Sequence, residues 1–409
     1  MSDTRNPSMP SAPGTSWADP KRYLWLLGPA IPVIGATMLV TYLFTQAMWT
    51  LWFVVALLHV IMPALDWLFG EDAENPPEDA LARLEADRYY SWVLYAFVPL
   101  QIGVTILGAW MAATMDLRWH ELLGLAISVG AVNGIAINTA HELGHKKDQL
   151  DRWLARISLA PTFYGHFFVE HNRGHHKNVA TPVDPASSRF GESFWAFWPR
   201  TVSGSLTSAW HLEAERLKRY QQGLWSRHNE NLQSWAMSVV LFGGLLAVLG
   251  TKALPFLLIQ MVYGFSLLEV VNYLEHYGLL RRKLPDGRYE RCQPEHSWNS
   301  NHTVTNLFLY HLQRHSDHHA NPTRRYQTLR HFDDSPQLPS GYAGMITLAY
   351  ITPLWYALMN KRVIKHYKGD LSRISFNPAR REALMAHYAD YAASVRQQQG
   401  APAGQRAAA

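Results

Sequence analysis

The chain has 409 residues, with 37 Lys+Arg against 32 Asp+Glu and a net charge of +5 when its 20 histidines are neutral. Its single cysteine, Cys292, excludes a disulfide framework, a cysteine-held iron–sulfur cluster and a four-cysteine metal site, and is given no role. Mean hydropathy is an ordinary -0.14, but the average hides apolar residues bunched into long runs, which argues against a soluble globule. Residues Met1–Pro20 are rich in Pro, Ser, Asp and Thr, which predicts a disordered tail. They lack the basic start and short apolar core of a signal peptide. Six apolar stretches follow, at Tyr23–Phe44, Met48–Phe69, Tyr90–Thr114, Leu122–Ala140, Trp235–Leu249 and Ala253–Leu274. A helix needs about 20 mostly apolar residues to cross the hydrocarbon core of a bilayer, so each stretch reads as a transmembrane helix. The fifth is short, and only Gly250–Lys252 separates it from the sixth, which suits a tight helical hairpin. A later stretch, Ala343–Leu358, contains Pro353 and predicts a segment at the interface or packed against the bundle, not a seventh span. Arg396–Ala409, rich in Gln, Gly, Ala and Pro, reads as a flexible tail or linker. The expected organisation is one membrane domain over residues 21–395 between two tails.

Charge gives this set a sidedness. Lys21 and Arg22 precede the first span, about a dozen Lys/Arg lie between His141 and Asn231, and Arg281, Arg282 and Lys283 follow the sixth span. The opposite loops, Thr45–Ala47, Met115–Glu121 and Gly250–Lys252, are brief and carry little charge. Because cytoplasmic loops carry the excess of Lys/Arg, both termini and the large loops are expected in the cytoplasm. The predicted fold class is an all-α integral membrane protein of six transmembrane helices with a cytoplasmic histidine-rich cap.

Most of the histidines sit in a few short segments. His141 and His145 stand four apart in HELGHK; His171, His175 and His176 form EHNRGHH; His276 is alone in NYLEHYGL; and His315, His318 and His319 form QRHSDHH. Residues three and four apart share a helix face, so each cluster can aim its imidazoles at one point. The first pair and His276 lie where the fourth and sixth spans end, and the other clusters lie in the loops that follow on the same side. Nine imidazoles exceed the needs of one metal and suit two, of the kind imidazole favours: Fe, Zn, Cu or Ni. Each cluster carries a neighbouring acid (Glu142, Glu170, Glu275 or Asp317) that could receive a ligand's free N–H, or could be plain surface charge. His311, four before His315, His302 and His166 are candidates for the same supporting role. His59 lies inside the second span, where an ionisable residue is either functional or a hydrogen-bonded packing residue.

HELGH also matches the H-E-x-x-H zinc-protease signature, but that site needs one further ligand and leaves the other clustered histidines unused. Transport would favour ligands spread through the depth of the membrane, whereas these collect at one end.

The boxes HELGHK, EHNRGHHKNVATPVDPASSR, NYLEHYGLLRRKLPDGRYE and NSNHTVTNLFLYHLQRHSDHHANPTRRYQTLR resemble the bacterial membrane alkane 1-monooxygenases, from about Lys21 to Arg381. The bare histidine spacings also fit fatty-acid desaturases and related hydroxylases, whose architecture is expected here. The lone His276 and the ATPVDPASSR tail point to the alkane enzymes. The resemblance implies two irons held by His141, His145, His171, His175, His176, His276, His315, His318 and His319. It implies n-alkane and O2 as substrates, 1-alkanol as product, a bacterial inner-membrane location, and rubredoxin with its reductase as electron source; no nucleic-acid partner is expected. The chain has too few cysteines to carry its own rubredoxin. An acidic donor could dock near Arg281, Arg282, Lys283, Arg324 and Arg325, charges that lipid headgroups would explain equally well. An alkane has no polar handle, so selectivity would rest on a narrow apolar tunnel that ends at the metals. Leu58, Val55 and Ile106 are the candidate walls.

Overall fold

The computed structural model describes residues 17–400 and is helical, with isolated β-bridges and no β-sheet among the described residues. Six helices are long and apolar enough to cross a membrane: α1 (Leu24–Thr45), α2 (Trp49–Phe69), α3 (Tyr89–Thr114), α4 (Trp119–Gly144), α7 (Glu230–Leu249) and α8 (Thr251–Glu275). Between α4 and α7 lie α5 (Gln149–Leu159) and α6 (Phe194–Arg219). The fifth span is not short. Its polar first turn extends it to 20 residues, where the Asn229 side chain accepts from the N–H groups of Asn231 and Leu232 and caps the helix. The hairpin to α8 turns at Gly250, whose φ of 78° is the left-handed conformation that glycine adopts without strain.

The fourth span is the hub, and most of it is buried. It crosses α8 through small residues: a Cβ on Gly130 would stand 2.7 Å from the Gln260 carbonyl, and one on Gly134 2.8 Å from the Gly264 carbonyl. The G-x-x-x-G spacing lets the two backbones touch, the usual basis of close helix packing in lipid. Replacing Gly130 with Leu is expected to cost at least ~1–3 kcal/mol through overpacking, read as a lower melting temperature in detergent. A buried polar chain ties the hub to its neighbours. Asn133 exchanges hydrogen bonds with Thr105 and donates to Gln260 Oε1 (2.6 Å), and Gln260 donates to the Pro161 carbonyl (2.7 Å).

That last contact belongs to a segment the hydropathy pattern does not reveal. Helix α5 runs back along α4 until Ser158 donates to the Ala136 carbonyl (3.1 Å) and binds Gln101, two turns below the end of α4. The chain reverses at Phe163 (φ 55°) and climbs again through the second histidine box. The loop after the fourth span is therefore partly re-entrant, not wholly outside the bundle.

The later apolar stretch packs against the bundle as two helices, α10 (Tyr342–Ala349) and α11 (Thr352–His366), broken ahead of Pro353, which sits in the first turn of α11. A short α9 (His315–Ala320) carries the third box. The two tails differ from expectation where they are described. Asp19 is anchored by Trp25 (2.9 Å) and Tyr90 (2.8 Å), so Trp17–Pro20 belong to the folded unit. The last helix, Ala389–Gly400, continues into the stretch predicted as a tail, with Arg396 bound to the Gly369 carbonyl. The remainder of both predicted tails lies outside the described residues.

Candidate metal centre

The boxes do not each aim at one point. They sort their histidines between two adjoining sets: His141, His145, His171, His176 and His318 in one, and His175, His276, His315 and His319 in the other. Local backbone geometry explains the sorting. His171–His175 forms a π-turn, closed by the His176 N–H on the His171 carbonyl, and this extra residue brings His176 round to the face of His171. His175 is left on the other side. On α9, His315 and His319 are one turn apart and share a set, while His318 points to the other. His141 and His145 close α4, and His276 ends α8 in a non-helical conformation (φ -127°) that swings its ring off the helix.

Within each set the Nε2 atoms converge. In the set of five, His141 and His318 stand 2.8 Å apart, His145 and His171 3.1 Å, and His171 and His176, like His176 and His318, 3.0 Å. In the set of four, His315 lies 3.3 Å from His276 and 2.9 Å from His319. The sets abut, with the rings of His176 and His319 4.5 Å apart. Nitrogens bound to one cation through bonds of about 2.0–2.1 Å stand roughly 3 Å apart, so these spacings suit donors around a shared ion. Burial holds the imidazoles of His171, His176, His315, His318 and His319 well below their usual range. They are neutral near pH 7 and offer lone pairs. The buried His175 Nε2 has no hydrogen-bond partner, as a metal-facing atom requires.

The support behind the rings differs from expectation. Asp184, in the ATPVDP segment and unassigned by sequence reasoning, accepts from His175 Nδ1 (2.9 Å). Burial lowers the His175 pKa, but the charge and hydrogen bond of Asp184, with the charges of Glu170 and Glu269, together outweigh it and raise the value; Asp184 itself is held down by His175 and Ser187 despite its own burial. This contact fixes the tautomer that leaves His175 Nε2 free. The His296 carbonyl accepts from His276 Nδ1 (3.1 Å) in the same way. Replacing Asp184 with Asn is expected to lower metal affinity about 10–100-fold, read by metal content after dialysis against a graded chelator.

The predicted acids divide. Asp317 orients no histidine; it grips Arg324 (2.6 Å), Asn321 and the Arg330 N–H, clamping the loop after α9. Glu275 reaches His315 at Nε2 (3.2 Å), the inward atom, not the outward Nδ1 where an orienting acid would sit. Glu170 packs over Gly174, where any Cβ would collide with its carboxylate, and burial pushes its carboxyl up to about 7. Glu142 is buried beside His141 with Oε2 unpartnered. His311 is not on the helix of His315: it lies in a left-handed turn (φ 54°), bonded to the Tyr326 carbonyl and edge-on to Trp25. His302 binds Ser300, and His166 packs on Tyr164; neither joins the cluster. His59 is a packing residue held between Thr347 (2.9 Å) and Tyr263 (2.8 Å).

An apolar cavity runs up to the histidines of both sets, touching His141, His171 and His315. Leu58, Gly134, Leu267 and Ile346 are among its walls, but Val55 and Ile106 are not. Ile106 faces outward, in a surface groove against α7. Leu58 turns inward because Leu57–Ile61 is another π-turn, which rotates it off the α-helical register. Of the basic docking candidates, Arg281 is buried against the carbonyls of Glu290 and Lys177, and Arg324 is neutralised by Asp317. Arg282, Lys283 and Arg325 remain outward or half-buried.

Fold and site together define a helical multi-pass membrane protein with two adjoining histidine clusters, each able to hold a metal ion, at one end of its bundle. The family model for fatty acid desaturases matches residues 117–349, which hold all nine histidines. The chain is 50% identical to the alkane 1-monooxygenase of Acinetobacter baylyi over 90% of this chain and 91% of the relative. It is 49% identical to alkane 1-monooxygenase 1 of Alcanivorax borkumensis (92% and 93% covered) and 49% identical to the alkane 1-monooxygenase of Pseudomonas putida (91% and 92%). The chain belongs to the alkane 1-monooxygenases, within the wider fatty acid desaturase family.

Proposed function

We propose that this protein hydroxylates the terminal methyl of medium- and long-chain n-alkanes, consuming O2, two electrons and two protons and giving 1-alkanol and water. The observation that carries this is the apolar cavity ending on histidines of both sets, in a member of this family. The nine histidines would hold two irons, five on one and four on the other, with Glu275 beside the second. Iron there would supply the redox chemistry that activation of O2 and oxidation of an unactivated C–H bond require.

The chain's own residues bind, orient and keep water out. Leu58, Gly134, Leu267 and Ile346 give the hydrocarbon a dry wall, at roughly 0.8 kcal/mol for each methylene taken from water. A substrate without polar atoms is positioned by the shape of this wall alone. An alkane dissolved in lipid reaches the cavity from within the bilayer.

Rubredoxin, reduced by its own reductase, is the proposed electron donor. It would dock at the histidine end beside Arg282, Lys283 and Arg325, and that end would face the cytoplasm of an inner-membrane protein, as the Lys/Arg excess implies. An acyl-chain desaturase would need a subsite for a carboxyl or thioester head; the cavity is lined mainly by apolar residues, with Asn138, Asn272 and Glu275 among them, and membership of the alkane 1-monooxygenases favours the unfunctionalised chain.

The test pairs metal analysis of detergent-purified protein with a product assay on a mid-chain alkane, O2, rubredoxin and its reductase. Two irons per chain are expected, with 1-alkanol that disappears in His276→Ala. One zinc per chain and no alkanol would sink the reading.

A further inference from the structure

A polar pocket separate from the apolar cavity lies at the level where two spans end. Helix α4 stops at Gly144 and α7 begins at Glu230. Between them, Lys147, Arg152, Trp153, Arg156, Arg216 and Glu230 line one crevice. Its charge is out of balance. Arg152 and Arg156 both donate to Glu230 Oε1 (2.7 Å each), Arg216 binds Glu213, and Arg173 bridges Glu213 (2.7 Å) and Glu230. Four guanidinium groups thus share two carboxylates, and Lys147 adds a further positive charge.

Donors also outnumber the acceptors present. A guanidinium carries five N–H groups. Arg152 gives one bond to the protein and Arg156 gives two, to Glu230 and Gln233. Arg156 is 5% exposed, and its Nε has no partner. A buried, under-satisfied cation in a net-positive pocket calls for an anion with several acceptor oxygens, the geometry a phosphate offers to arginine.

The surroundings are those of a lipid. Leu150, Trp153 and Ile157 stand on one face of α5 and are 50%, 41% and 37% exposed, so an apolar flank borders the crevice. Val239 and Val240 on α7 are exposed too, as a lipid-facing span requires. A basic pocket at headgroup depth with apolar flanks suits a phosphodiester whose tails lie along the helices.

We propose that this crevice is a binding site for a phosphate-bearing anion, supplied by an anionic phospholipid, with Arg152, Arg156, Arg216 and Lys147 as its donors. The crevice arginines share the carboxylates of Glu213 and Glu230 with Arg173, which belongs to the His171–His175 turn of the second histidine box. The site is independent of the reaction assigned above.

The experiment places the full-length protein in nanodiscs of mixed phosphatidylglycerol and phosphatidylcholine and measures the lipids retained on delipidation by mass spectrometry. Wild type is expected to retain phosphatidylglycerol preferentially. The pair Lys147→Gln with Arg152→Gln should lower that preference about 30-fold, since each basic contact to an anionic headgroup is worth on the order of fivefold. Arg152→Lys with Lys147 intact should retain most of it, and a melting temperature near wild type establishes that the pair folds. The charge-matched pair Arg282→Gln with Lys283→Gln should leave the preference unchanged. A second arm titrates inorganic phosphate into lipid-free detergent protein at constant ionic strength. Stabilisation that needs Lys147 and Arg152 there would assign the site to a soluble phosphate. Equal retention of the two lipids with no phosphate effect, or equal losses in both charge pairs, would overturn the proposal.

Discussion

Replacing His175 with Ala is expected to remove one metal per chain, while replacing its neighbour His176 leaves more metal bound under the same wash. The two residues are adjacent in sequence but face different sets, and the sets are unequal. His175→Ala reduces the smaller set to three imidazoles and strands Asp184, whose carboxylate is fully buried against the lost ring. His176→Ala leaves four imidazoles in the larger set. Loss of a group that merely orients a ligand costs about 10–100-fold in metal affinity, so loss of a ligand from the smaller set should exceed ~100-fold. Metal content by mass spectrometry after chelator dialysis reads the difference. Turnover should fall in both variants, because the cavity touches histidines of both sets. Equal metal loss in the two would mean that the extra imidazole of the larger set does not make it the more retentive one.

Much of this was legible in the sequence, for reasons that also mark its limit. Hydropathy located all six spans, since lipid imposes a single rule, about 20 apolar residues, on every crossing. It misjudged the start of the fifth span because Glu230, Asn231 and Ser234 are polar; Glu230 and Asn231 meet partners distant in sequence, at Arg152, Arg156 and Ala209, and Ser234 donates back to the Glu230 carbonyl within the helix. It missed α5 as a re-entrant segment because that helix carries Arg152 and Arg156, whose charges are met by Glu230 from another element. The histidines were legible as a cluster because imidazoles of that number have few other uses. Their division between two sets was not, because it depends on a π-turn at His171–His175 that has no signature in residue type. Helical spacing likewise joined His311 to His315, whereas the backbone at Tyr310 and His311 is left-handed and breaks the helix. Asp184 was passed over because it stands nine residues from the ring it serves, beyond any local spacing rule.

Replacing Leu58 with Trp is expected to shorten the longest alkane accepted while sparing shorter ones. Leu58 is the one channel candidate of the three that lines the cavity, and it does so because the π-turn at Leu57–Ile61 rotates it inward. The turn is braced from both sides, since His59 binds Thr347 on α10 and Tyr263 on α8. Those bonds prevent the turn from relaxing to α-helix and carrying an oversized residue 58 out toward lipid. The opposite wall is equally unyielding: Gly134 already lies against Leu267 and the α8 backbone, so it cannot retreat. An indole must therefore occupy space within the cavity that a long substrate would take. If it displaces about three methylenes, the penalty is roughly 2.4 kcal/mol, or about 60-fold in kcat/KM for the longest substrates. Competition assays on a mixed alkane series, with alkanols resolved by chromatography, would show a truncated upper end and an unchanged lower end. A second variant separates bulk from backbone: His59→Phe keeps Leu58 but removes both braces, and should blur the chain-length limit instead of shifting it. An unchanged product distribution in Leu58→Trp would mean that the hydrocarbon takes another route to the histidines.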